Sequence, residues 1–284
     1  MSVKIMSDST CDLSPELVKQ YDIDVLPLHI VLGDQEYEDG VTITPDEVYA
    51  WSDAHKTTPK TSAVAFDTVV EAFRPYLEEG REIVCFAISE DMSTTANVMR
   101  LAAQELEAED RVFIIDSQNL STGIGMQVIE AAILAQQDKS GAEIVEHIQK
   151  MQPAIRTSFV VDSLTYLYRG GRCSGLAALA GSALRLHPKI IVHEGKMSPG
   201  KKYRGKIDRV FTDYAHDLEE GLCNARTDRV FFTHSGCDQK TIDAMVEYLK
   251  SFDRFSEILV TRAGCVVSSH CGANTVGIVY TEQF

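Results

Sequence analysis

The sequence predicts an α/β protein of two α/β domains, the first with a mostly parallel sheet covered by helices. Three observations predict it. Short β-branched or apolar runs bounded by polar turns alternate with helical runs, and the helical runs repeat apolar residues at 3.6-residue spacing. A chain of 284 residues with 44% hydrophobic content is also long enough to fill two cores of ordinary size.

In chain order, strands are expected at Val3 to Met6, Val25 to Leu32, Ile83 to Ile88 and Val112 to Ile115. Ser14 followed by Pro15 reads as an N-cap with proline at the first helical position. Phe66, Val69, Val70, Phe73, Tyr76 and Leu77 share one helical face, as do Ile144, Val145, Ile148 and Met151. A further helix carries Val98, Leu101 and Leu106. The segment Met151 to Arg156, with Pro153, ends a helical pattern ahead of a new strand and divides the chain into domains 1–155 and 156–284. The second domain is expected to hold strands at Phe159 to Val161, Ile190 to Val192, Val230 to Thr233, Ile258 to Val260 and Thr275 to Tyr280, with helices over Ile207 to Cys223 and Thr241 to Phe252.

Composition narrows the function. Acidic residues outnumber basic ones by 42 to 27, a field that repels nucleic acid and anionic membrane surfaces. Seven scattered cysteines show no zinc or redox spacing and read as reduced thiols. The opening MSVKIMSDST lacks a signal-like apolar run, and the longest small-apolar tract, Gly175 to Leu186, contains Arg185 and is too short to span a bilayer. A cytoplasmic protein without a membrane segment is expected. No dinucleotide or Walker fingerprint and no G-x-S-x-G elbow is present, and no cofactor or metal is expected.

Chemistry concentrates in polar clusters. Ser7 to Thr10 follows the first strand and reads either as a hydrogen-bonded turn or as the floor of a site at the strand's carboxyl end. Lys60-Thr61-Ser62 and Met92-Ser93-Thr94-Thr95 each precede a helix; hydroxyls there either cap the helix or share an anion with its unpaired N–H groups. Asp116 to Gly125 occupies a similar strand-to-helix position. Tyr168 to Ser174 sets Arg169 and Arg172 beside flexible glycines. Lys201-Lys202-Tyr203-Arg204-Gly205-Lys206 is a basic island that also suits a solvated hairpin or loop. The small residues Gly175 to Leu184 suit a tightly packed helix or the wall of an acyl tube. Ser268-Ser269-His270-Cys271-Gly272 offers an imidazole near the C-terminus.

In this order SDSTCDLS, KTS, MSTT, DSQNLSTGIG, YLYRGGRCS and SHCG resemble the DegV family, which includes the fatty-acid-binding subunits of bacterial fatty acid kinase. The resemblance covers nearly the whole chain and rests on the order of the motifs. It implies a long-chain fatty acid buried between and within two α/β domains, its carboxylate held by Thr61, Ser93 and His270, with Ser62, Thr94 and Ser269 as secondary candidates. Arg172 and Arg204 look like positions that attend a phosphorylated head group or the kinase. The implied role is a non-catalytic carrier that presents the carboxylate to a fatty acid kinase in phospholipid metabolism. Three departures mark the head-group region: Thr94 stands where a glycine is usual, Ala63-Val64-Ala65 where proline is usual, and Cys271-Gly272-Ala273 where threonine-glycine-proline is usual. Two rivals are a serine-dependent acyl hydrolase or transferase using Ser93 or Ser117 with His270, and an α/β regulator that binds a phosphate ligand.

Overall fold

The computed structural model describes residues 2–171 and 186–284. The strands β1 (Val3–Asp8), β2 (Ile23–Leu26), β6 (Glu82–Ala87) and β7 (Val112–Asp116) form a four-stranded sheet in the order β2-β1-β6-β7, parallel throughout. The two central strands are buried along almost their whole length because both of their faces are covered. On β6, Ile83, Cys85 and Ala87 face a core shared with Val69, Phe73 and Met99 of α3 (Phe66–Glu78) and α4 (Thr95–Glu105). Val84 and Phe86 face the opposite core, with Ile129 of α5 (Thr122–Gln136), Ile144 of α6 (Gly141–Met151) and Leu17 of α1 (Pro15–Gln20). Ser14 caps α1 by accepting the Leu17 N–H, as its sequence predicts.

A small antiparallel sheet, β3 (His29–Leu32), β4 (Gln35–Glu38) and β5 (Lys60–Ser62), lies in the order β4-β3-β5, with α2 (Pro45–His55) between its last two strands in sequence. The predicted single strand Val25 to Leu32 is therefore two strands in two sheets. Pro27 has no N–H to donate and falls between them, which ends β2 and lets the chain change sheets.

After α6 the chain builds a six-stranded mixed sheet from β8 (Ile155–Val160), β9 (Leu186–His193), β10 (Lys196–Arg204), β11 (Arg229–Ser235), β12 (Glu257–Arg262) and β13 (Thr275–Thr281), in the order β10-β9-β8-β13-β11-β12. Strand alternation sends Val160, Phe232, Val276 and Ile278 to an outer core covered by α8 (Ile207–His216) and α10 (Gln239–Lys250). The inner face meets α5: Phe231 and Val279 share a core with Ile124 and Ile129. Squeezed between two sheets, α5 is buried on all sides from Thr122 to Ala132, which explains its lack of a polar face.

Two further expectations change. Ile207 to Cys223 breaks into α8 and a short α9 (Glu219–Asn224), because Asp217 and Leu218 interrupt the repeat. The basic island from Lys201 forms much of β10, an edge strand in an antiparallel hairpin, where Lys201 and Tyr203 both bond Asp217 at 2.8 Å. Edge lysines are a common guard against strand pairing between molecules. Two short helices, α7 (Thr165–Arg169) and α11 (Cys265–Cys271), complete the described fold and pack on each other. No helix among the described residues is long and apolar enough to cross a membrane.

Candidate functional site

The site is organised around α11, whose two ends meet different chemistry. At its start, Asp39 accepts the N–H groups of Cys265 at 2.6 Å and Val266 at 3.4 Å, and also takes the Ser9 hydroxyl at 2.8 Å. Asp12 accepts the Gly264 N–H at 2.8 Å and the Ser121 hydroxyl. These carboxylates pair N–H groups that a helix start leaves open, and the dipole there favours negative charge. Burial pushes the Asp12 carboxyl up to about 8 against its hydrogen bonds, with a smaller push from neighbouring Asp39 and Asp8. Burial also raises Asp39, and raises Asp8 to about 6.

The opening cluster thus takes the turn reading of its two alternatives. Asp8 accepts the N–H of Thr10 at 3.0 Å and that of Ile88 at 2.8 Å, tying the end of β1 to the end of β6. Ser7 and Thr10 are fully buried, and neither they nor Ser9 line the cavity described below.

At the other end of α11, the Nε2 of His270 lies 2.9 Å from the Thr61 hydroxyl. Thr61 reaches it from β5, where it pairs with Ile30 of β3. It is presented by a strand and not by a helix terminus: α3 begins at Phe66, with Ala65 in the N-cap position and no side-chain cap. Close approaches fix the imidazole. A Cβ on Gly170 would overlap His270 Nδ1, and one on Gly272 would overlap the Tyr166 ring. Gly272 also has φ +75°, so α7 needs glycine at both contacts for its own reason in each case: room at Gly170, room and backbone hand at Gly272.

Thr61, Ser62, Ser93, Thr94 and His270 all line one cavity of about 480 Å³, within the usual range for small-molecule sites. Its apolar lining includes Leu28, Ile88, Met92, Leu120, Phe159 and Val266, drawn from both halves of the chain. Ser93 sits just ahead of α4; its oxygen accepts the Thr95 N–H at 3.3 Å and lies 2.9 Å from the Thr95 hydroxyl. When Thr95 donates, Ser93 keeps its own proton for a ligand. Thr94 is the exposed N-cap of α4 and makes no side-chain cap. Among the described residues no lysine or arginine lines the cavity, so an anion there would be held by neutral donors and by the lining histidines, His234 and His270.

Other sequence candidates lie elsewhere. Ser269 is fully buried but spends its hydroxyl on the Cys265 carbonyl at 2.7 Å and does not line the cavity. Arg204 is exposed at the end of β10, opposite Leu186 and away from the cavity lining. Arg172 and the tract Gly175 to Leu184 lie outside the described residues. Ser117, the alternative nucleophile, is buried and bonded to the Asn119 backbone, also outside the lining.

Sequence reasoning missed the inner face of the large sheet as cavity wall. Thr157 and Phe159 of β8, Thr233 and Ser235 of β11, and Thr275, Gly277 and Val279 of β13 line it. The available signal was a period-two pattern of hydroxyl and small residues, which by itself also suits a strand facing solvent.

The model of a family described as "Uncharacterised protein, DegV family" matches residues 2–283. A DegV domain-containing protein of Clostridium perfringens is 31% identical over 290 residues, covering 99% of each chain. Among solved structures, one described as fatty acid binding of a DegV family protein from Thermus thermophilus matches with a TM-score of 0.90 and 29% identity over 100% of both chains. A stearic acid-binding protein from Eubacterium ventriosum matches with a TM-score of 0.85 and 27% identity, covering 99% of this chain and 98% of that one.

Proposed function

The chain belongs to the DegV family, and from that premise we propose that it binds one long-chain fatty acid, tail buried in the cavity and carboxylate held by Thr61, Ser93 and His270. The observation that carries this reading is the His270–Thr61 contact at the wall of a largely apolar cavity that Ser93 also lines. Burial of the tail supplies the affinity. At roughly 0.8 kcal/mol per CH₂, a long chain contributes on the order of 10 kcal/mol before the costs of binding.

Neutral donors suit a carboxylate that has to react later. They orient it without a buried ion pair whose disruption would be costly. The finer proposal is therefore that the protein presents the carboxylate to a fatty acid kinase for acyl-phosphate formation and performs no catalysis itself. Residues 1–155 would supply the hydroxyls and residues 156–284 the histidine and much of the acyl pocket. Arg172 and Arg204 are the proposed contacts for the phosphorylated head group or the kinase.

Native mass spectrometry and lipid extraction of the purified protein test the first level: an acyl ligand, or uptake of added stearate, is expected, and neither being found would overturn it. Incubation of the loaded protein with a fatty acid kinase and ATP tests the second. Acyl phosphate is expected there; intact fatty acid after incubation would leave a carrier that no kinase uses.

A further inference from the structure

The cavity wall contributed by the large sheet carries hydroxyls that a plain hydrocarbon tail would leave unanswered. Thr157 is 4% exposed, lines the cavity, and its Oγ1 has no hydrogen-bond partner among the described residues. The nearby Asn119 side-chain oxygen accepts the Leu120 N–H at 3.1 Å and no hydrogen bond joins it to Thr157 among the described residues. Two strands away, Thr233 Oγ1 lies 2.7 Å from Thr122 Oγ1 and 3.0 Å from Thr261 Oγ1. Three hydroxyls carry three protons, and the two bonds between them use two. With Thr122 and Thr261 both donating, Thr233 turns its remaining proton to the cavity it lines. Other hydroxyls on this wall are satisfied: Ser235 donates to the Gly272 carbonyl, Thr275 to those of Cys271 and Gly272, and Ser158 shares a bond with Tyr214.

A buried hydroxyl without a partner is costly, so a wall of this kind calls for an acceptor inside the cavity. We propose that the acyl chain taken up here bears an oxygen substituent, a hydroxyl group along the chain, bonded by Thr157, with Thr233 as the partner for a hydroxyl at a different carbon. This rests on the fatty-acid reading and deepens it by naming the class of acid. The register places Thr157 opposite Val279 and Thr233 opposite Gly277, on either side of β13. Two strand spacings and a two-residue offset along β13 separate them by about 12 Å, so one oxygen meets one threonine and its place on the chain matters.

The test is a competition series against the delipidated protein, with stearic acid and hydroxystearic acids substituted at successive carbons. One isomer should match or exceed stearate and bind about tenfold tighter than isomers substituted elsewhere, the effect of one well-made hydrogen bond. Thr157→Val or Thr233→Val should remove that preference about tenfold, and Thr157→Ser, which keeps the hydroxyl, should restore it. Stearate binding with every hydroxy isomer weaker, or a preference that survives both valine variants, overturns this inference and leaves the fatty-acid reading standing. No binding of stearate or of any isomer defeats the fatty-acid reading itself.

Discussion

At the start of α11 the partners are the buried carboxylates of Asp12 and Asp39; at its end, His270 meets the neutral hydroxyl of Thr61. Both contacts join segments far apart in the chain, yet they differ in what breaking them costs. A carboxylate buried against helix N–H groups cannot leave without stranding several donors in a dry interior, whereas a hydroxyl and an imidazole can exchange partners when a ligand arrives. The first end fastens the helix and the second is free to respond.

Removing the fastening should have the largest effect. Asp39→Ala strands the N–H groups of Cys265 and Val266 and the Ser9 hydroxyl, and should cost about 4 kcal/mol of unfolding free energy, as for a buried network that loses its central acceptor. Asp39→Asn keeps an acceptor oxygen and should lose less. Urea unfolding measures both; a loss below about 1 kcal/mol for the alanine variant would mean that α11 is held by packing alone.

How much of this was legible in sequence depends on how far apart the cooperating residues lie. The parallel sheet was readable because β1 and β6 are short strand-like segments each followed by a polar turn and a helix, and α3 because Val69, Phe73 and Leu77 recur locally. Thr61 and His270 were paired only through the family resemblance, since no local pattern links a strand residue to one 209 positions later. Asp12 and Asp39 were unreadable as helix fasteners: each looks like an ordinary turn acid until the fold brings Gly264 between them. Ser269 and His270 show the converse limit. The two are adjacent in sequence, but helix geometry points Ser269 back to Cys265 and leaves His270 on the cavity.

At the responsive end, Thr61→Val combined with Ser93→Ala should weaken fatty-acid retention about 100-fold, the worth of two hydrogen bonds to a charged group. Stability without ligand should change by less than about 1 kcal/mol, because both hydroxyls are only half-buried. Displacement of a fluorescent fatty acid and urea unfolding read the two quantities. Equal losses in both would show that this end also serves as a fastening, and the contrast would fail.

The two ends should also separate by pH. Burial raises the Asp12 carboxyl to about 8, so the native protein binds more protons than the unfolded chain above the ordinary aspartate range. Stability from this group is complete at low pH and declines as pH rises toward 8. His234, lowered by burial, titrates below its ordinary 6.5 and acts in the opposite direction only there. Glu143, drawn down to about 2 by Lys139 and the Ser140 cap, acts below 4.5. Between pH 6.5 and 8 the net expectation is a fall of about 2 kcal/mol, one proton at about 1.4 kcal/mol per pH unit. Asp12→Asn should flatten the profile; a wild-type stability that is already flat across this window would show that Asp12 is ionised throughout.

Gly170→Ala should give the smallest and most local change. The backbone at Gly170 is helical, with φ of −72°, so alanine meets no conformational penalty there. Its Cβ, however, would overlap His270 Nδ1, and the imidazole must move to make room. Because the other ring nitrogen contacts Thr61, that movement pulls His270 away from the hydroxyl and should weaken fatty-acid binding about tenfold. Gly171→Ala is the matched control: φ is +72° and no described residue lies within 4 Å of its Cβ, so alanine there should cost about 1 kcal/mol of stability and leave affinity in place. If Gly170→Ala instead lowers stability as Gly171→Ala does and spares affinity, α7 braces the fold and not the histidine, and His270 holds its position without help from α7.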